Sequence, residues 1–276
     1  MRLRFLGTGG PIVPVVGQGT WQIERDPTRS IRALRLGLDL GMTHIDTAEM
    51  YGAGRAEEIV GEAIGWRREE VFLASKVTPS NASAKRTIEA CERSLRRLGT
   101  DRLDLYLLHW PSRHRLEETI AAFENLVQAG KIRAYGLSNF GVDGLEHAVR
   151  IAGHGRIACN QVLYHLKERG IEHAVLPFCE RNGIAVVGYS PFGQGDFPEG
   201  NPELLDIAKR HGVSPRQVAL AFLISRPSLF TIPKASQPSH VEDNAGAGSL
   251  VLSEVELGRI DAAFPIGPRP RHLPTL

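Results

Sequence analysis

The sequence has few cysteines, no long hydrophobic run and almost no excess of charge of either sign. Its three cysteines, Cys91, Cys159 and Cys179, are an odd number with no CxxC pair. We therefore expect reduced thiols in the cytoplasm, and neither a disulfide framework nor a zinc site. No stretch approaches the roughly 20 apolar residues that cross a bilayer, so no membrane association is expected. The formal net charge of +2 is too small to indicate a nucleic-acid surface.

The remaining composition is that of a folded globular chain. Hydrophobic residues make up 42% and charged residues 23% of the sequence, which is ordinary for a protein with a large core. No linker or low-complexity tract divides it, so we expect one domain over residues 1–276, acting as a monomer. The opening stretch, MRLRFLGTGGPIVPVVG, has two arginines before an apolar segment, as a signal peptide would. Glycines and prolines interrupt that segment, and we expect a folded β-hairpin there instead.

Short apolar runs alternate with amphipathic stretches along the whole chain. The runs have the length and the β-branched or aromatic content of strands, and they span residues 15–20, 43–47, 71–77, 103–110, 132–139, 157–162, 184–190 and 229–233. Buried strands that alternate with helices indicate a parallel sheet. Eight units at this length favour an α/β fold, the (β/α)8 TIM barrel, over its main competitor, a doubly wound open sheet. Residues 201–212 and 253–264 exceed the eightfold count, and we expect both to be extra helices.

Ionisable residues follow three consecutive strands. Asp46 ends the second run with Tyr51 just beyond it, Lys76 ends the third, and His109 ends the fourth. Each residue alone has an ordinary structural explanation, such as a turn, a cap or a satisfied core histidine. Together they occupy equivalent positions at the carboxyl ends of neighbouring strands, where barrel enzymes carry their active sites. The pattern therefore predicts one site that contains all four.

These four residue types suit the protonation of a carbonyl oxygen. A tyrosine phenol has a reference pKa of about 10, which an adjacent ammonium is expected to lower. A carboxylate beside the lysine keeps the ammonium charged and fixes its position, and a histidine can hydrogen-bond the bound carbonyl. Because no side chain supplies a hydride, the chemistry implies a nicotinamide cofactor.

The motifs resemble those of the aldo-keto reductase family, in particular its bacterial NADP-dependent members. The resemblance runs from VVGQGTWQ to about residue 248, through HIDTAEMYG, LASKV, LDLYLLHWP, GKIRAYGLSNF, CNQVLYH, VVGYSPF and TIPKASQPSHVEDN in that order. It implies an oxidoreductase that reduces small aldehydes and ketones to alcohols. It also implies that Tyr51 is the general acid, that Lys76 and Asp46 tune it, and that His109 orients the carbonyl.

The resemblance further implies where the cofactor and the substrate bind. Ser138, Asn139 and Gln161 would hold the nicotinamide carboxamide, and Tyr189 would stack on the ring. The full set of implied cofactor-binding residues is Thr20, Trp21, Asp46, Ser138, Asn139, Gln161, Tyr189, Ser190, Phe192, Gly193, Lys234, Ser236, His240 and Asn244. The substrate pocket would be lined by Trp21, Tyr51, His109 and Trp110.

One part of the sequence departs from the family pattern. Many NADP-preferring members carry an arginine six residues after the lysine of IPK, where it reaches the 2′-phosphate, and here that position is His240. Ala235 stands where a serine or threonine often follows the lysine. Lys234 still offers a cation, and Ser236 a hydroxyl. We expect NADPH as the cofactor, with NADH as the alternative.

Other functional classes are less compatible with the sequence. His109 and His114 lie in a proline-containing loop and lack HExxH spacing, so no metal is expected. The main alternative to an enzyme is a cofactor-binding regulatory subunit with little turnover, like the potassium-channel β subunits of this fold. Retention of all four catalytic residue types favours the enzyme. The segment after Phe264 is short, and we expect it to leave the substrate pocket open.

Overall fold

An antiparallel hairpin precedes the barrel, as the sequence predicted. In the computed structural model, which describes residues 1–276, its strands are β1 (Leu3–Phe5) and β2 (Ile12–Pro14). Gly7 and Gly9 in the connecting loop have φ values of 78° and 70°, where a side chain would be strained. The glycines that interrupt the apolar stretch are therefore the residues that let the hairpin turn.

Eight parallel strands form the centre of the molecule, one for each predicted apolar run. They are β3 (Gln18–Gly19), β4 (His44–Asp46), β5 (Phe72–Val77), β6 (Leu103–Leu108), β7 (Ile132–Ser138), β8 (Ile157–Leu163), β9 (Ala185–Tyr189) and β10 (Leu229–Thr231). They lie side by side in chain order. Thr231 donates its backbone N–H to the Val15 carbonyl at 3.0 Å and accepts one from Gly17 at 2.8 Å. These bonds join the last strand to the first, so the sheet is a closed barrel.

Helices cover the outside of the barrel. They are α1 (Pro27–Asp39), α2 (Arg55–Ile64), α3 (Ala84–Leu98), α4 (Leu116–Gln128), α5 (Val142–Ala152), α6 (Val175–Arg181), α7 (Pro202–His211), α8 (Pro215–Leu223), α9 (Pro238–Ala247) and α10 (Glu254–Ala263). The two extra helices predicted from the sequence are α7 and α10, which add to the eight βα units. None of the helices is long and apolar enough to span a membrane.

The period of two along each strand brings polar side chains to one end of the barrel. Leu105 and Leu107 of β6 and Ala74 of β5 pack in one buried cluster inside it. Because side chains alternate along a strand, the next inward positions are Lys76 on β5 and His109 just after β6. The carboxyl end of the barrel, called the barrel mouth below, therefore receives the ionisable groups.

A buried carboxylate joins the second and third helices to the sheet. Glu57 of α2 is fully buried. It accepts hydrogen bonds from Ser75 Oγ on β5 at 2.5 Å and from Arg97 Nε on α3 at 2.7 Å. A buried charge is tolerated only when it is paired and hydrogen-bonded. Glu57 meets that condition with two partners from different elements, one of which, Ser75, directly precedes Lys76.

Removal of the Glu57 carboxylate is expected to destabilise the fold. Glu57→Ala leaves the Ser75 hydroxyl and Arg97 without their partner, at an expected cost of about 2–4 kcal/mol in the free energy of unfolding. Glu58→Ala is the matched control, because Glu58 pairs with Arg55 at the surface, and its loss should cost at most about 1 kcal/mol. Urea unfolding of both variants measures the difference, and equal losses would contradict this account.

Candidate active site

A buried ion pair lies at the centre of the barrel mouth. Lys76 Nζ is 2.5 Å from Asp46 Oδ1, and the two residues are 0% and 1% exposed. Lys76 also donates to the Thr47 carbonyl at 2.8 Å, while Gln161 Nε2 donates to Asp46 Oδ2 at 2.7 Å. These additional hydrogen bonds offset part of the desolvation cost that a buried pair carries. Both charges are thus held in fixed positions.

The lysine keeps its charge despite complete burial. Burial is the largest influence on the pKa of Lys76 and lowers it, but the nearby Asp46 carboxylate and Tyr51 hydroxyl raise it. Their combined effect exceeds that of burial, and the pKa stands above its usual value. The side chain is therefore a fixed ammonium at the pH of a cell.

Tyr51 comes from the turn after β4 and lies beside this ammonium. Lys76 Nζ is 3.5 Å from the Tyr51 hydroxyl and 5.0 Å from its ring centroid. The sequence led us to expect that the ammonium lowers the phenol pKa. The net shift is in the other direction, because burial raises the pKa of Tyr51 by more than Lys76 lowers it. The phenol accordingly holds its proton at neutral pH.

His109 is a neutral imidazole at the same mouth. It is 4% exposed, and burial, followed by the charge of Lys76, lowers its pKa to about 2. Its ring stacks on Trp110 at 4.0 Å and meets the Tyr51 ring edge-on at 5.7 Å. His109 Nδ1 is buried without a hydrogen-bond partner. A ring in this state can donate one hydrogen bond to an oxygen without carrying a charge.

The residues predicted for the nicotinamide form one hydrogen-bonded chain. Tyr189 donates its hydroxyl to Asn139 Oδ1 at 2.9 Å, and Asn139 Nδ2 donates to Ser138 Oγ at 3.2 Å. Ser138 Oγ donates to the Gln161 carbonyl at 3.0 Å, and Gln161 in turn holds Asp46. Asn139 has a φ of 64°, a conformation that asparagine tolerates better than most residues. The structure brings these residues together with the ion pair.

Thr20 and Trp21 approach the site from the end of β3. Thr20 is buried, and its Oγ1 donates to the Asp46 carbonyl at 2.9 Å. Trp21 is 45% exposed and meets the Tyr51 ring edge-on at 5.1 Å. Trp110 stacks on His109, which in turn meets Tyr51. The four residues predicted for the substrate pocket therefore form one continuous series of ring contacts at the barrel mouth.

The loop after β9 curves past the mouth. Ser190 and Gly193 have φ values of 51° and 61°, so the chain turns sharply there. Phe192 packs edge-on against Phe197 at 5.4 Å, and the Arg216 guanidinium lies 4.9 Å from the Phe192 ring centroid. This loop is thus fastened to α8 by aromatic and cation–π contacts.

Burial also raises the pKa of Tyr189, to about 12. The segment after α10 is held to the side of the barrel. His173 Nε2 lies 2.8 Å from the Gly267 carbonyl, which holds the tail along the barrel side. The expectation that this short tail leaves the substrate pocket open stays a prediction.

The residues predicted for the adenosine half lie apart from the tetrad, after β10. Lys234 and His240 are exposed, Ser236 is half-buried, and Asn244 is buried in α9. Arg29 of α1 donates from Nε to the Ser236 carbonyl at 3.0 Å. This group therefore sits where the first and last barrel helices meet.

Glu49, which was not among the predicted site residues, anchors the turn that carries Tyr51. Its side chain is 8% exposed, and Oε1 accepts hydrogen bonds from the Thr78 backbone and hydroxyl and from Asn81 Nδ2, at 2.8, 2.9 and 3.0 Å. The available signal was an acidic residue inside HIDTAEMYG, two positions before the phenol. Its partners lie beyond the next strand, so the sequence did not show them. The structure contains no cluster of three or more His, Cys, Asp or Glu side chains arranged to hold a metal ion.

Known proteins match this chain over nearly its whole length. It is 46% identical over 265 residues to methylglyoxal reductase YeaE from Escherichia coli (strain K12), covering 94% of this chain and 93% of that protein. It is 35% identical over 272 residues to a glyoxal reductase from Bacillus subtilis (strain 168), covering 96% and 95%.

A solved structure matches the whole fold. The aldo/keto reductase from Klebsiella pneumoniae, in complex with NADP and acetate, superposes with a TM-score of 0.93 over 100% of both chains, at 40% identity. The sequence model of the Aldo/keto reductase family matches residues 15–264, which include every strand of the barrel. The chain therefore belongs to the aldo/keto reductase family, as its motifs predicted.

Proposed function

We propose that this protein reduces small aldehydes and ketones to alcohols with NADPH, and that Tyr51 is the proton donor. One observation carries the proposal: the Lys76 ammonium, fixed by Asp46, lies 3.5 Å from the Tyr51 hydroxyl. A protonated phenol beside a fixed cation is prepared to release its proton as negative charge develops on a substrate oxygen. The cation then stabilises the phenolate that is left behind.

The tetrad divides the work between charge and position. Reduction raises the negative charge on the carbonyl oxygen, so groups that interact more strongly with that charge lower the barrier. Tyr51 donates the proton, and neutral His109 donates a hydrogen bond that orients the carbonyl. Lys76 favours the phenolate more than the phenol, and Asp46 holds Lys76 in place. Because Asp46, Lys76 and His109 are buried, these electrostatic effects are stronger than in solution.

The residues at the mouth suit a nicotinamide dinucleotide. Ser138, Asn139 and Gln161 would bind the carboxamide and Tyr189 would face the ring, while Lys234 and Ser236 would bind the adenosine half. In support of this assignment, Lys234 has no carboxylate partner within the protein and is free to meet a phosphate. When bound, the nicotinamide supplies the hydride, which no side chain can provide.

The opening is suited to a small, uncharged carbonyl. Trp21, Tyr51 and Trp110 form an aromatic wall around it, and such a wall binds compact apolar or weakly polar groups. The relatives named for methylglyoxal and glyoxal reduction support the same size class. We therefore propose that 2-oxoaldehydes such as methylglyoxal are among the substrates.

The proposal is tested by Tyr51→Phe with methylglyoxal and NADPH. Loss of the proton donor should lower kcat about 10²–10⁴-fold with little change in KM, measured from the loss of NADPH absorbance. Tyr106→Phe is the matched control, because the Tyr106 hydroxyl is buried without a partner and its removal should leave kcat unchanged. Full activity of Tyr51→Phe would refute the mechanism. Cofactor binding without turnover by the wild type, over a panel of aldehydes, would favour the regulatory alternative.

The pH dependence follows from the two pKa shifts. Reduction needs the protonated phenol, and the pKa of Tyr51 is raised above its usual value of about 10. The rate of reduction should therefore stay flat from about pH 5 to about 9 and fall only at higher pH, whereas alcohol oxidation, which needs the phenolate, should rise with pH. His109, with its pKa lowered to about 2, should add no limb near neutrality. A step in kcat between about pH 6 and 7 that His109→Gln removes would contradict this assignment.

A further inference from the structure

Within the link between Asp46 and Tyr51, one side chain bonds to another part of the chain. Thr47 Oγ1 is buried without a hydrogen-bond partner, and the link otherwise holds an alanine, a methionine and Glu49. The Tyr51 hydroxyl itself meets Lys76 Nζ at 3.5 Å, which is long for a hydrogen bond. The position of the phenol therefore depends on how its turn is held, and Glu49 supplies the side-chain bonds that hold it.

Glu49 continues the parallel ladder between β4 and β5 beyond the end of β4. In such a ladder, a residue donates its N–H to one carbonyl of the neighbouring strand and accepts from the N–H two residues further along that strand. Glu49 donates its backbone N–H to the Lys76 carbonyl at 3.3 Å, and its Oε1 accepts from the Thr78 backbone N–H at 2.8 Å. The carboxylate thus takes the place of a main-chain carbonyl.

Use of a side chain as the acceptor lets the backbone turn away from the sheet. The chain turns directly after Glu49, and Tyr51 donates its backbone N–H to the Ala48 carbonyl at 3.1 Å. The two main-chain groups that Glu49 bonds belong to Lys76 and to the residue two positions after it. The turn that carries the phenol is therefore fixed to the same stretch of chain that carries the ammonium.

Three donors converge on one oxygen of this carboxylate. Besides the Thr78 N–H, Oε1 of Glu49 accepts from Thr78 Oγ1 at 2.9 Å and from Asn81 Nδ2 at 3.0 Å. The other oxygen, Oε2, lies 3.9 Å from Arg93 Nη2. The Arg93 side chain is 40% exposed, so this ion pair contributes little. The hydrogen bonds at Oε1, and not the charge pair at Oε2, therefore hold the turn.

We propose that Glu49 is a positioning residue for proton transfer, and that it keeps the Tyr51 hydroxyl close to the Lys76 ammonium by replacing a main-chain acceptor in the ladder. The assignment rests on the proposed function, since donation by Tyr51 is itself a proposal. A cation stabilises developing charge best when it is in place before the reaction. A displacement of about 1 Å can lower a rate on the order of 10²-fold, so a loosened turn slows the chemical step and spares substrate binding.

Three substitutions at Glu49 separate hydrogen bonding from charge. Glu49→Ala removes the acceptor and should lower kcat for methylglyoxal about 10- to 100-fold, with KM within about threefold. Glu49→Gln keeps an oxygen in the place of Oε1 and should stay within about threefold of the wild-type kcat. Glu49→Asp keeps the charge but is one methylene too short to reach Thr78 and Asn81 together, so it should behave as Glu49→Ala. The loss of NADPH absorbance measures all four rates.

Glu256→Ala is the matched control. The Glu256 side chain is 11% exposed, and its Oε2 accepts from the Ser253 backbone N–H and hydroxyl at 2.8 Å each. These partners lie at the beginning of α10, and its third partner, His211, lies in α7. The loss of Glu256 should lower the free energy of unfolding, as the loss of Glu49 does, and should leave kcat unchanged.

A second measurement needs no turnover. Tyrosine labelled with fluorine on the ring gives one fluorine NMR signal for each of the five tyrosines, and the signal missing in Tyr51→Phe belongs to Tyr51. We expect Glu49→Ala and Glu49→Asp to shift or broaden this signal, and Glu49→Gln and Glu256→Ala to leave it as in the wild type. The signal reports the position of the ring whether or not the wild type reduces aldehydes, so the two proposals are tested separately.

A wild-type kcat and an unchanged Tyr51 signal in Glu49→Ala would overturn the proposal and leave Glu49 a role in stability alone. Activity in Glu49→Asp together with its loss in Glu49→Gln would also overturn it, because the charge and not the hydrogen bonds would then act. If Glu49→Ala does not fold, Thr78→Val and Asn81→Ala each remove one of the three donors at Oε1. Combined, they should lower kcat and shift the Tyr51 signal, and wild-type values of both would contradict the proposal.

Discussion

The buried ion pair between Lys76 and Asp46 is the interaction on which the rest of the mouth depends. Two charges removed from water are stable only if their remaining hydrogen-bonding capacity is used. That requirement accounts for the positions of Thr47 and Gln161, which bond to the pair from two sides. Since Gln161 comes from β8, the pair couples two distant parts of the barrel. The chain of bonds from Gln161 to Tyr189 extends this constraint to the region proposed for the nicotinamide.

Burial disfavours the charged form of both groups that the proposed mechanism uses most, but the outcome differs between them. It opposes the charge on Lys76, yet Asp46 and Tyr51 restore that charge. It also opposes ionisation of Tyr51, and there the single ammonium is not enough to reverse the effect. The result is a permanent Lys76 ammonium beside a Tyr51 phenol that releases its proton only to an acceptor. Without substrate, the phenol of such a site keeps its proton. This suits a proton donor that must not lose its proton to water.

The sequence predicted the parts of this structure that depend on local pattern. The eight apolar runs became eight strands, residues 201–212 and 253–264 became α7 and α10, and the strand ends carried the tetrad to one mouth. It did not predict the net shift of the Tyr51 pKa, since Trp21 and His109, distant in the chain, help to bury that ring. The partners of Glu49 and the position of Arg29 beside Ser236 were also hidden, because both depend on which strands and helices become neighbours in space.

The closure of the barrel places the two ends of the chain in one small region. Arg29 and Ser236 touch although they are 207 residues apart in sequence, and Thr231 bonds to Val15 and Gly17. Contacts of such long sequence separation form late, because a large loop must be closed before they are gained. During synthesis, the segment before β3 therefore cannot form these bonds until β10, the eighth strand of the barrel, has been made. The contact between Arg29 and Ser236 can form only at that final step, so the junction of α1 and α9 requires the nearly complete chain.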